Sequence, residues 1–395
     1  MNTSREFGFC FKKEVCRTCG SGDLKKVVEL TPTPPGNNFI KKEDIGTQEK
    51  EYPLQLDFCN NCFHIQLGHV VDPRFLFQND YSYVSSTSKV FVNHLEEYSS
   101  YIIKLLNIET DSLIVDIGSN DGTCLSFFKK NGMRVIGVDP AEGISKIAND
   151  NGIPTINDFF DPDVSKSIRH NHGPAKLITS HNACAHIDDL GSVIQSVESL
   201  LDDDGFFVME VGYFVDVFQN NWFDTVYHEH VDFHTVHPLT KLFERFDMNL
   251  FRVERVSPQG GSIRVMAQKK SGRRMIDDTV ENLINLESDL GLDRAETLVQ
   301  YEREINKIRK KFMGLISEIK SDGKTIAAFG AATKATTLSY HFGLDKEDIL
   351  FIVDDNPLKQ GFVSPGKHIP VCSSENIYNQ MPDYIVILAW NFAES

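Results

Sequence analysis

A strand, a glycine-containing turn and a helix are predicted for residues 113–128, and this unit constrains the fold more than any other part of the chain. The apolar run at 113–115 predicts a buried strand, and apolar periodicity resumes at 124–128. The turn between them contains Asp116, Gly118, Ser119, Asn120, Asp121 and Gly122. In an α/β sheet, such a unit presents backbone N–H groups and a helix N-terminus to a ligand.

The acidic residues of this turn indicate which ligand it binds. The turn is not G-x-G-x-x-G, and Asp116 and Asp121 would repel a pyrophosphate. They suit a ligand with a cationic or zwitterionic end, which favours S-adenosylmethionine (SAM) over NAD. The next predicted strand ends at Asp139, roughly 20 residues on, where a carboxylate can accept two hydroxyls of an adenosine ribose. An ordinary turn without a ligand is the alternative.

Strands and helices alternate after this unit, which predicts a doubly wound parallel sheet of the α/β class. We predict strands at 113–117, 135–138, 154–157, 177–180 and 206–211, helices at 142–149 and 193–201, and a tight turn at 202–205. Ligands bind outside the carboxyl ends of parallel strands. The residues after these ends add to the predicted cofactor site: Asp158, Phe159, His181 and Asn182, with Glu210 also at a strand end.

Two CxxC pairs near the N-terminus predict a metal site. Cys16 and Cys19 form one pair, and Cys59 and Cys62 form the other. Four thiolates fit tetrahedral zinc and leave no open position for water, so the zinc is expected to be structural. A redox dithiol is the alternative. A strand is predicted at 52–58, and the Pro- and Gly-containing stretch before it is expected to form a loop.

Length and composition limit the other possibilities. With 395 residues the chain should form two or three domains. A net charge of −16 argues against nucleic-acid binding. No apolar run approaches the 18 residues or so of a membrane span, and the N-terminal segment lacks the apolar core of a signal peptide. We therefore expect a cytoplasmic protein without a membrane partner, and no interface stripe is evident, which favours a monomer.

Two segments of the central region are rich in chemically active side chains. One contains His186, and the other is the motif Tyr227-His228-Glu229-His230. The motif supplies an imidazole, a carboxylate and a phenol, which suits acid–base chemistry. The alternative is a zinc or iron site, because His228 and His230 alternate on an extended segment and could point together. The aromatic and hydroxyl residues at 81–88 could cap the helix predicted at 90–106 or line a site over the sheet.

The C-terminal third begins with charged helices and continues with a second α/β unit. Helices are predicted at 280–290 and 294–319, and these are expected to be solvated and without chemistry. A strand at 325–329 then leads into a turn and a helix, and further strands are predicted at 349–353 and 384–389. Small residues with a threonine and a lysine at the helix start suit a phosphate: Gly330, Ala331, Ala332, Thr333 and Lys334. The chain ends soon after a strand, so we expect this domain to be incomplete.

These segments together resemble the sugar C-methyltransferases that act on nucleotide-linked 4-keto-deoxysugars. The resemblance spans nearly the whole chain and is carried by the four cysteines, residues 81–88, VDIGSNDG at 115–122, Ala185-His186-Ile187, Tyr227 to His230, FGAATK at 329–334 and VDDNPLKQG at 353–361. It implies a zinc-binding module at 1–75, a SAM-dependent methyltransferase domain at 76–272, and linker helices with an α/β substrate domain at 273–395.

The resemblance also implies a reaction, methylation of C3 of the sugar through an enolate. His230 would be the base, Glu229 and Tyr227 would orient it or hold the substrate, and His186 would stabilise the enolate oxygen. Either Tyr81 or Tyr83 would close the site. The loop at 330–334, with Asp355 and Asn356, would bind the nucleotide diphosphate. An O- or N-methyltransferase and a non-catalytic protein that binds zinc and a nucleotide sugar are the alternatives.

Overall fold

The structure, a computed structural model, describes residues 10–46, 49–77 and 84–390. Within these ranges the strands form one seven-stranded sheet, two four-stranded sheets and two two-stranded ribbons. No helix in this part of the chain combines the length and apolar character needed to cross a membrane. Tyr81 and Tyr83, the residues predicted to close the site, lie outside the described residues.

The N-terminal region is built on an antiparallel sheet. The strands of this region are β1 (Cys10–Lys12), β2 (Leu24–Thr33), β3 (Ile40–Lys41), β4 (Tyr52–Cys59), β5 (Ile65–Leu67) and β6 (His69–Val71). The sheet contains β2, β4 and β5, whereas β1 and β6 pair with each other. The strand predicted at 52–58 is confirmed as β4, which lies between β2 and β5. One CxxC pair precedes β2 and the other begins at the last residue of β4, so the sheet brings the two pairs to the same end.

The central region contains the seven-stranded sheet. Its elements are α1 (Pro73–Phe77), α2 (Lys89–Leu106), β7 (Leu113–Ile117), α3 (Thr123–Lys130), β8 (Arg134–Val138), α4 (Glu142–Asp150), β9 (Thr155–Ile156), α5 (Pro162–His172), β10 (Ala175–His181), α6 (Leu190–Leu200), β11 (Leu201–Gly212), α7 (Phe214–Asn220), β12 (Asp232–Phe233), α8 (Val236–Glu244), β13 (Met248–Val256) and β14 (Ser262–Lys269). The Ser88 side chain accepts a hydrogen bond from the Phe91 N–H and caps α2.

The strand order of this sheet is β13-β14-β11-β10-β7-β8-β9. Strands β7 to β11 are parallel, which confirms the predicted α/β class. The sheet also contains two strands that were not predicted, because β13 and β14 form an antiparallel hairpin at the β11 edge. Antiparallel strands can be joined by a short turn. The pattern of alternating strands and helices used for the prediction therefore does not indicate β13 and β14.

The tight turn predicted at 202–205 is also wrong. These residues lie inside β11, where the pairing with β10 moves from Ala175–Leu201 to Leu177–Phe206. The extra residues form a bulge, and Asp203 and Asp204 in it are exposed to solvent. The acidic run at 202–204 with Gly205 is therefore a bulge within β11 and not a turn between α6 and the strand.

A short strand of the central region completes the N-terminal sheet. β12 pairs with β5 and directly follows the 227–230 motif. The His64 Nε2 lies 2.7 Å from Asp232 Oδ1, and the Arg17 Nε donates to Asp188 Oδ1 at 3.0 Å. The N-terminal region therefore holds the segment after the motif through backbone pairing and the buried His64–Asp232 contact. The partly buried Arg17–Asp188 pair holds the segment before α6.

The C-terminal region contains two long helices followed by a parallel sheet. Its elements are α9 (Asp278–Asp289), α10 (Ala295–Ser321), β15 (Ile326–Phe329), α11 (Thr333–Phe342), β16 (Ile352–Val353), β17 (Phe362–Val363), β18 (Val371–Cys372), α12 (Glu375–Gln380) and β19 (Tyr384–Ile387). The strand order is β18-β16-β15-β19. β17 pairs instead with β3 of the N-terminal region.

The two long helices confirm the helices predicted at 280–290 and 294–319, but the expectation that they are merely solvated is wrong. Glu287 of α9 is buried and accepts hydrogen bonds from the Val236 N–H at 2.6 Å and the His237 N–H at 3.1 Å. It also accepts one from the Tyr213 hydroxyl at 2.9 Å. A carboxylate at a helix N-terminus satisfies otherwise unpaired N–H groups, so α9 caps α8.

Candidate active site

Four cysteine thiols converge at one end of the N-terminal sheet. The Sγ atoms of Cys16, Cys19, Cys59 and Cys62 all lie within 4.8 Å of one another, and the Cys16–Cys62 and Cys19–Cys59 distances are 3.5 Å. Tetrahedral Zn–S bonds of about 2.3 Å place the sulfur atoms about 3.8 Å apart. The four thiolates therefore fit one zinc ion, and the buried Thr18 hydroxyl, 3.0 Å from Cys62 Sγ, can donate to them.

The turn between β7 and α3 depends on glycine. Gly118 and Gly122 have φ angles of 70° and 78°, in the left-handed region that favours this residue. A Cβ on Gly118 would also clash with the Cβ of Ala183 in the loop after β10. Gly118 is therefore required both by the backbone conformation and by the close approach of the neighbouring loop.

Hydrogen bonds fix this turn to its neighbours. The Asn120 N–H donates to Asp139 Oδ2 at 2.9 Å, and Asn120 Oδ1 accepts from the Ser85 N–H at 2.8 Å. Asp121 Oδ2 accepts from the Ser86 N–H at 3.1 Å. The segment before α2 therefore contacts the turn and also caps its own helix, as one interpretation predicts. That it lines a ligand site stays a prediction.

The strand ends place the other predicted cofactor residues along the same edge of the sheet. Asp139 follows β8, Asp158 and Phe159 follow β9, His181 is the last residue of β10, and Asn182 comes next. Because β9, β8, β7 and β10 are neighbours, these residues stand in a row around the turn. Asp158 is exposed and Phe159 half-buried.

Several buried polar atoms at this edge have no hydrogen-bond partner among the described residues. They are Asp116 Oδ1, Ser119 Oγ and both ring nitrogens of His181. Burial, together with the charge of Asp139, raises the pKa of Asp116 well above its usual range, and burial lowers the pKa of His181 to about 4. Buried polar groups are rarely left unpaired. The site therefore fits a polar ligand, and the zwitterionic end of SAM would also offset the two aspartates.

Tyr227, His230 and His186 form a group of half-buried rings. The His230 Nδ1–H donates to the Thr225 carbonyl oxygen at 2.9 Å, so Nε2 is the lone-pair acceptor of the neutral ring. The Tyr227 hydroxyl lies 2.7 Å from this Nε2, and the His186 ring centroid is 5.1 Å from that of His230. Burial lowers the pKa of His230 to about 4 and that of His186 to about 3. Both rings are therefore neutral near pH 7, and His230 can accept a proton at Nε2.

Glu229 contacts a different part of the protein. It is 6 % exposed and accepts a hydrogen bond from Asn37 Nδ2 at 2.9 Å. Burial raises the pKa of Glu229 to about 7, although Asn37 and the charge of Lys359 act in the opposite direction. Of the two predicted roles of Glu229, orienting His230 is not supported, because Tyr227 and Thr225 hold that ring. Holding the substrate stays a prediction.

The alternative metal site in this motif is not formed. His228 Nε2 lies 3.2 Å from the Tyr52 carbonyl oxygen of β4, and the Tyr52 and His228 rings pack edge to face. Across the part of the chain that the structure describes, no cluster of metal-ligating side chains includes His228, Glu229 or His230. The two imidazoles have different partners, because His228 faces the Tyr52 carbonyl oxygen whereas His230 contacts Thr225 and Tyr227.

The predicted phosphate loop after β15 is already hydrogen-bonded. The Gly330 N–H donates to the Val353 carbonyl oxygen at 2.8 Å, and the Ala331 N–H donates to Asp354 Oδ2 at 2.7 Å. These two N–H groups are therefore not the phosphate ligands that the sequence predicts. Ala332 precedes α11 and forms no side-chain cap, so the first N–H groups of this helix remain suited to a phosphate.

The side chains predicted to assist phosphate binding also have protein partners. The Thr333 hydroxyl donates to Asn37 Oδ1 at 2.7 Å. Lys334 is buried with its Nζ 3.4 Å from the centroid of the Trp390 ring, and the Trp390 Nε1–H donates to Asp224 Oδ2 at 2.8 Å. Burial lowers the pKa of Lys334 to about 8. Thr333 therefore faces the N-terminal region, and Lys334 packs against Trp390 and is influenced by the charge of Asp224.

Asp355 and Asn356, the last predicted substrate ligands, shape the loop after β16. The Ser374 hydroxyl donates to Asp355 Oδ1 at 2.5 Å, and Asn356 Oδ1 accepts from the Leu358 N–H at 3.0 Å. Both contacts lie within the C-terminal region. Their role in substrate binding stays a prediction.

A buried polar network next to the predicted cofactor site was not predicted as such. Glu210 of β11 is 2 % exposed and lies 2.6 Å from His94 Nε2 and 2.7 Å from Arg264 Nε. Arg264 lies over the Tyr98 ring, whose centroid is 4.4 Å from that of His181. The network therefore supports the His181 ring. A single arginine within the otherwise mostly apolar β14 is the signal in the sequence that could have found it.

Asn37 and Lys359 were also missed. Asn37 lies in the insert between β2 and β4, and Lys359 follows β16. The Pro34-Pro35-Gly36 run before Asn37 indicates a defined turn, but no local pattern connects either residue with Glu229.

Three family models match consecutive parts of the chain. They are "Putative zinc binding domain" at residues 16–77, "Methyltransferase domain" at 88–253 and "C-methyltransferase C-terminal domain" at 257–395. The C-methyltransferase NovU of Streptomyces niveus is 34 % identical over 378 residues, which cover 96 % of this chain and 90 % of NovU.

Solved structures resemble about half of the chain at a greater distance. Magnesium protoporphyrin IX methyltransferase (ChlM) from Synechocystis PCC 6803 with bound SAM is 13 % identical with a TM-score of 0.35, covering 48 % of this chain and 86 % of ChlM. The PH0226 protein from Pyrococcus horikoshii OT3 is 13 % identical with a TM-score of 0.37, covering 47 % and 94 %. These similarities are too low to bear on function.

The family models and NovU agree with the geometry of both sites. The four thiols fit zinc, and the edge of the seven-stranded sheet fits SAM. The similarity to a C-methyltransferase over most of the chain sets aside an O- or N-methyltransferase and a non-catalytic binding protein. The chain belongs to the SAM-dependent C-methyltransferases that carry an N-terminal zinc-binding domain.

Proposed function

We propose that the protein methylates C3 of a nucleotide-linked 4-keto-deoxysugar, with His230 as the base. The observation that carries the proposal is the hydrogen bond from His230 Nδ1–H to Thr225, which leaves Nε2 as the proton acceptor. A ketone at C4 acidifies the hydrogen on C3. The proton passes to Nε2, an enolate remains, and C3 becomes the nucleophile. SAM, when bound, supplies the methyl group.

The neighbouring rings have separate roles in this step. The Tyr227 hydroxyl holds His230 Nε2 before the substrate arrives. The neutral His186 ring donates an N–H to the enolate oxygen. One well-placed donor to a developing oxyanion contributes roughly 3–4 kcal/mol to lowering the barrier. The low pKa of His230 keeps the acceptor nitrogen unprotonated across the neutral range.

Two further contacts hold the substrate. Glu229 accepts a hydrogen bond from a sugar hydroxyl, which suits a buried carboxyl next to the proton acceptor. The first turn of α11 binds the nucleotide diphosphate, because a helix N-terminus presents N–H groups and a positive dipole end to an anion.

The test is mass spectrometry of NDP-4-keto-6-deoxyhexoses incubated with the protein in D₂O, with and without SAM. We expect deuterium uptake at C3 without SAM and a carbon-bound methyl group with it. His230→Gln should lower both rates about 10²- to 10⁴-fold, because a positioned base contributes that much. The affinity for SAM should stay unchanged.

His170→Gln is the matched control, because His170 is exposed on α5 away from the sheet edge. Its rates should equal those of the native protein. Full exchange at C3 in His230→Gln, or a methyl group found on oxygen or nitrogen of the sugar, would refute the proposal.

A further inference from the structure

The insert between β2 and β4 docks onto the C-terminal region. We refer to its described residues, 34–46 and 49–51, as the arm. β3 of the arm pairs with β17, matching Lys41 with Phe362 and Ile40 with Val363. Glu49 accepts a hydrogen bond from the Gly366 N–H at 3.0 Å, and its other oxygen lies 2.6 Å from His368 Nε2. The arm is therefore attached to the C-terminal region at two places.

Close packing seats the start of the arm on α11. A Cβ on Gly36 would clash with both the carbonyl oxygen and the side chain of Thr333. The Thr336 hydroxyl donates to the Gly36 carbonyl oxygen at 3.3 Å. The arm therefore approaches the first turn of α11 as closely as a backbone without a side chain permits.

Asn37, the next residue, connects two functional groups. Its Nδ2 donates to Glu229 Oε1 at 2.9 Å, and its Oδ1 accepts from the Thr333 hydroxyl at 2.7 Å. Because both ends of the amide are bonded, its orientation is fixed. One side chain of the zinc-binding region thus joins the 227–230 motif to the first turn of α11.

Glu229, in the central region, interacts with one residue from each of the other two regions. Asn37 reaches it from the N-terminal region, and Lys359 of the C-terminal region acts on it with a positive charge. The Lys359 Nζ itself donates to the Ala331 carbonyl oxygen at 2.8 Å, so this lysine is also held against the loop before α11. A hydrogen bond donated to a carboxylate favours its ionised form.

We propose that Asn37 is a positioning residue for the C-methylation. It holds the Glu229 carboxyl against the first turn of α11, so that docking of the arm completes the substrate site. This inference rests on the proposed function, because that function assigns Glu229 to the sugar. The zinc-binding region would then contribute directly to the geometry of the active site through one amide.

The first test measures the Glu229 carboxyl itself and needs no substrate. The full-length protein is labelled with ¹³C at the glutamate side-chain carboxyl, and Glu229→Gln assigns the signal. Asn37→Ala should raise the pKa of Glu229 by about one unit, because a hydrogen bond to a charged group is lost. Asn37→Asp, which keeps the shape, should raise it further through like-charge repulsion.

The second test measures turnover of NDP-4-keto-6-deoxyhexoses. Thr333→Val should lower kcat/KM about tenfold, mainly through KM, and Thr333→Ser should restore it, because serine retains the hydroxyl that fixes the amide. In Asn37→Ala the pH profile of kcat/KM should move up together with the pKa of Glu229. Asn38→Ala is the matched control, because Asn38 is the next residue and is exposed.

The two tests separate the inference from the function on which it rests. A Glu229 pKa that is the same in Asn37→Ala, Asn37→Asp and the native protein would overturn the inference. A loss of turnover in Thr333→Val that Thr333→Ser does not restore would also count against it. If the pKa moves as expected but the native protein methylates none of the sugars, the positioning of Glu229 stands and the proposed substrate is wrong.

Discussion

Replacing Glu210 by glutamine should destabilise the seven-stranded sheet. This carboxylate is 2 % exposed and lies between His94 Nε2 at 2.6 Å and Arg264 Nε at 2.7 Å. An amide of the same shape removes the negative charge and turns one acceptor into a donor. Arg264 keeps a contact with Glu254 at 3.2 Å, so its charge is only partly compensated in the variant.

The size of the effect follows from the pKa of Glu210. Burial alone would raise this pKa, but the hydrogen bond from His94 and the charge of Arg264 contribute to lowering it from 4.5 to about 2. A difference of about 2.5 units corresponds to about 3 kcal/mol of folding free energy. That agrees with the roughly 3–5 kcal/mol lost when one partner of a buried ion pair is removed.

The contribution of Glu210 to the free energy of unfolding should decrease as the pH falls. Because the pKa is lower in the folded state, the contribution is fully present above pH 4.5 and is lost as the pH falls through about 2. The free energy of unfolding of Glu210→Gln should therefore be about 3 kcal/mol below that of the native protein at pH 7. This difference in the free energy of unfolding should become smaller below pH 4.5, and near pH 3 it should be less than half of its value at pH 7.

The assay is hydrogen exchange of the β10, β11 and β14 amides as a function of urea, because these amides report the sheet rather than the other regions. Glu97→Gln, an exposed residue on the helix that carries His94, is the control and should change the free energy by less than about 0.5 kcal/mol. A loss below about 1 kcal/mol at pH 7, or a gap that widens on acidification, would refute the reasoning.

Three shorter predictions concern the two ligand sites and the arm. Gly118→Ala should weaken SAM binding at least about tenfold in calorimetry, because the added Cβ would clash with the loop after β10 and the φ of Gly118 is left-handed. Gly143→Ala is the control, because a Cβ at Gly143 meets open space, and equal SAM affinity in the two variants would contradict the prediction. Cys62→Ser should lose the bound zinc in elemental analysis and unfold at a lower temperature, whereas retention of one zinc per chain would show that the four thiols are not the site. Gly36→Ala should lower kcat/KM for the nucleotide sugar about tenfold or more, because the added Cβ would push the arm away from Thr333. SAM affinity should be unchanged. An unchanged kcat/KM would mean that the site tolerates this displacement of the arm.

Sequence patterns predicted most of what depends on neighbours in the chain. The apolar run and glycine turn at 113–122 predicted β7, the turn and α3, because strand burial, turn conformation and helix periodicity are local properties. The spacing within each CxxC pair predicted the metal ligands, whereas the N-terminal sheet brings the two pairs together. The hairpin of β13 and β14 and the bulge in β11 were missed, because their identity depends on which strands they pair with.

The candidate site shows the same division. Tyr227 and His230 are three residues apart, and their contact follows from the motif. The contact between Asn37 and Glu229 joins residues 192 positions apart in different regions. No local pattern encodes it, and it exists because β3 pairs with β17 and β5 pairs with β12.

The sequence by itself determined the α/β class, the two CxxC pairs, the glycine turn and the residue types of the candidate active site, since each is encoded by short-range spacing and chemistry. Only the tertiary structure decided which side chains meet. In the folded chain His228 faces β4, Glu229 is hydrogen-bonded to Asn37 rather than to His230, and Lys334 packs against Trp390. These choices arise from the packing of three regions against one another, which depends on burial and pairing across the whole chain.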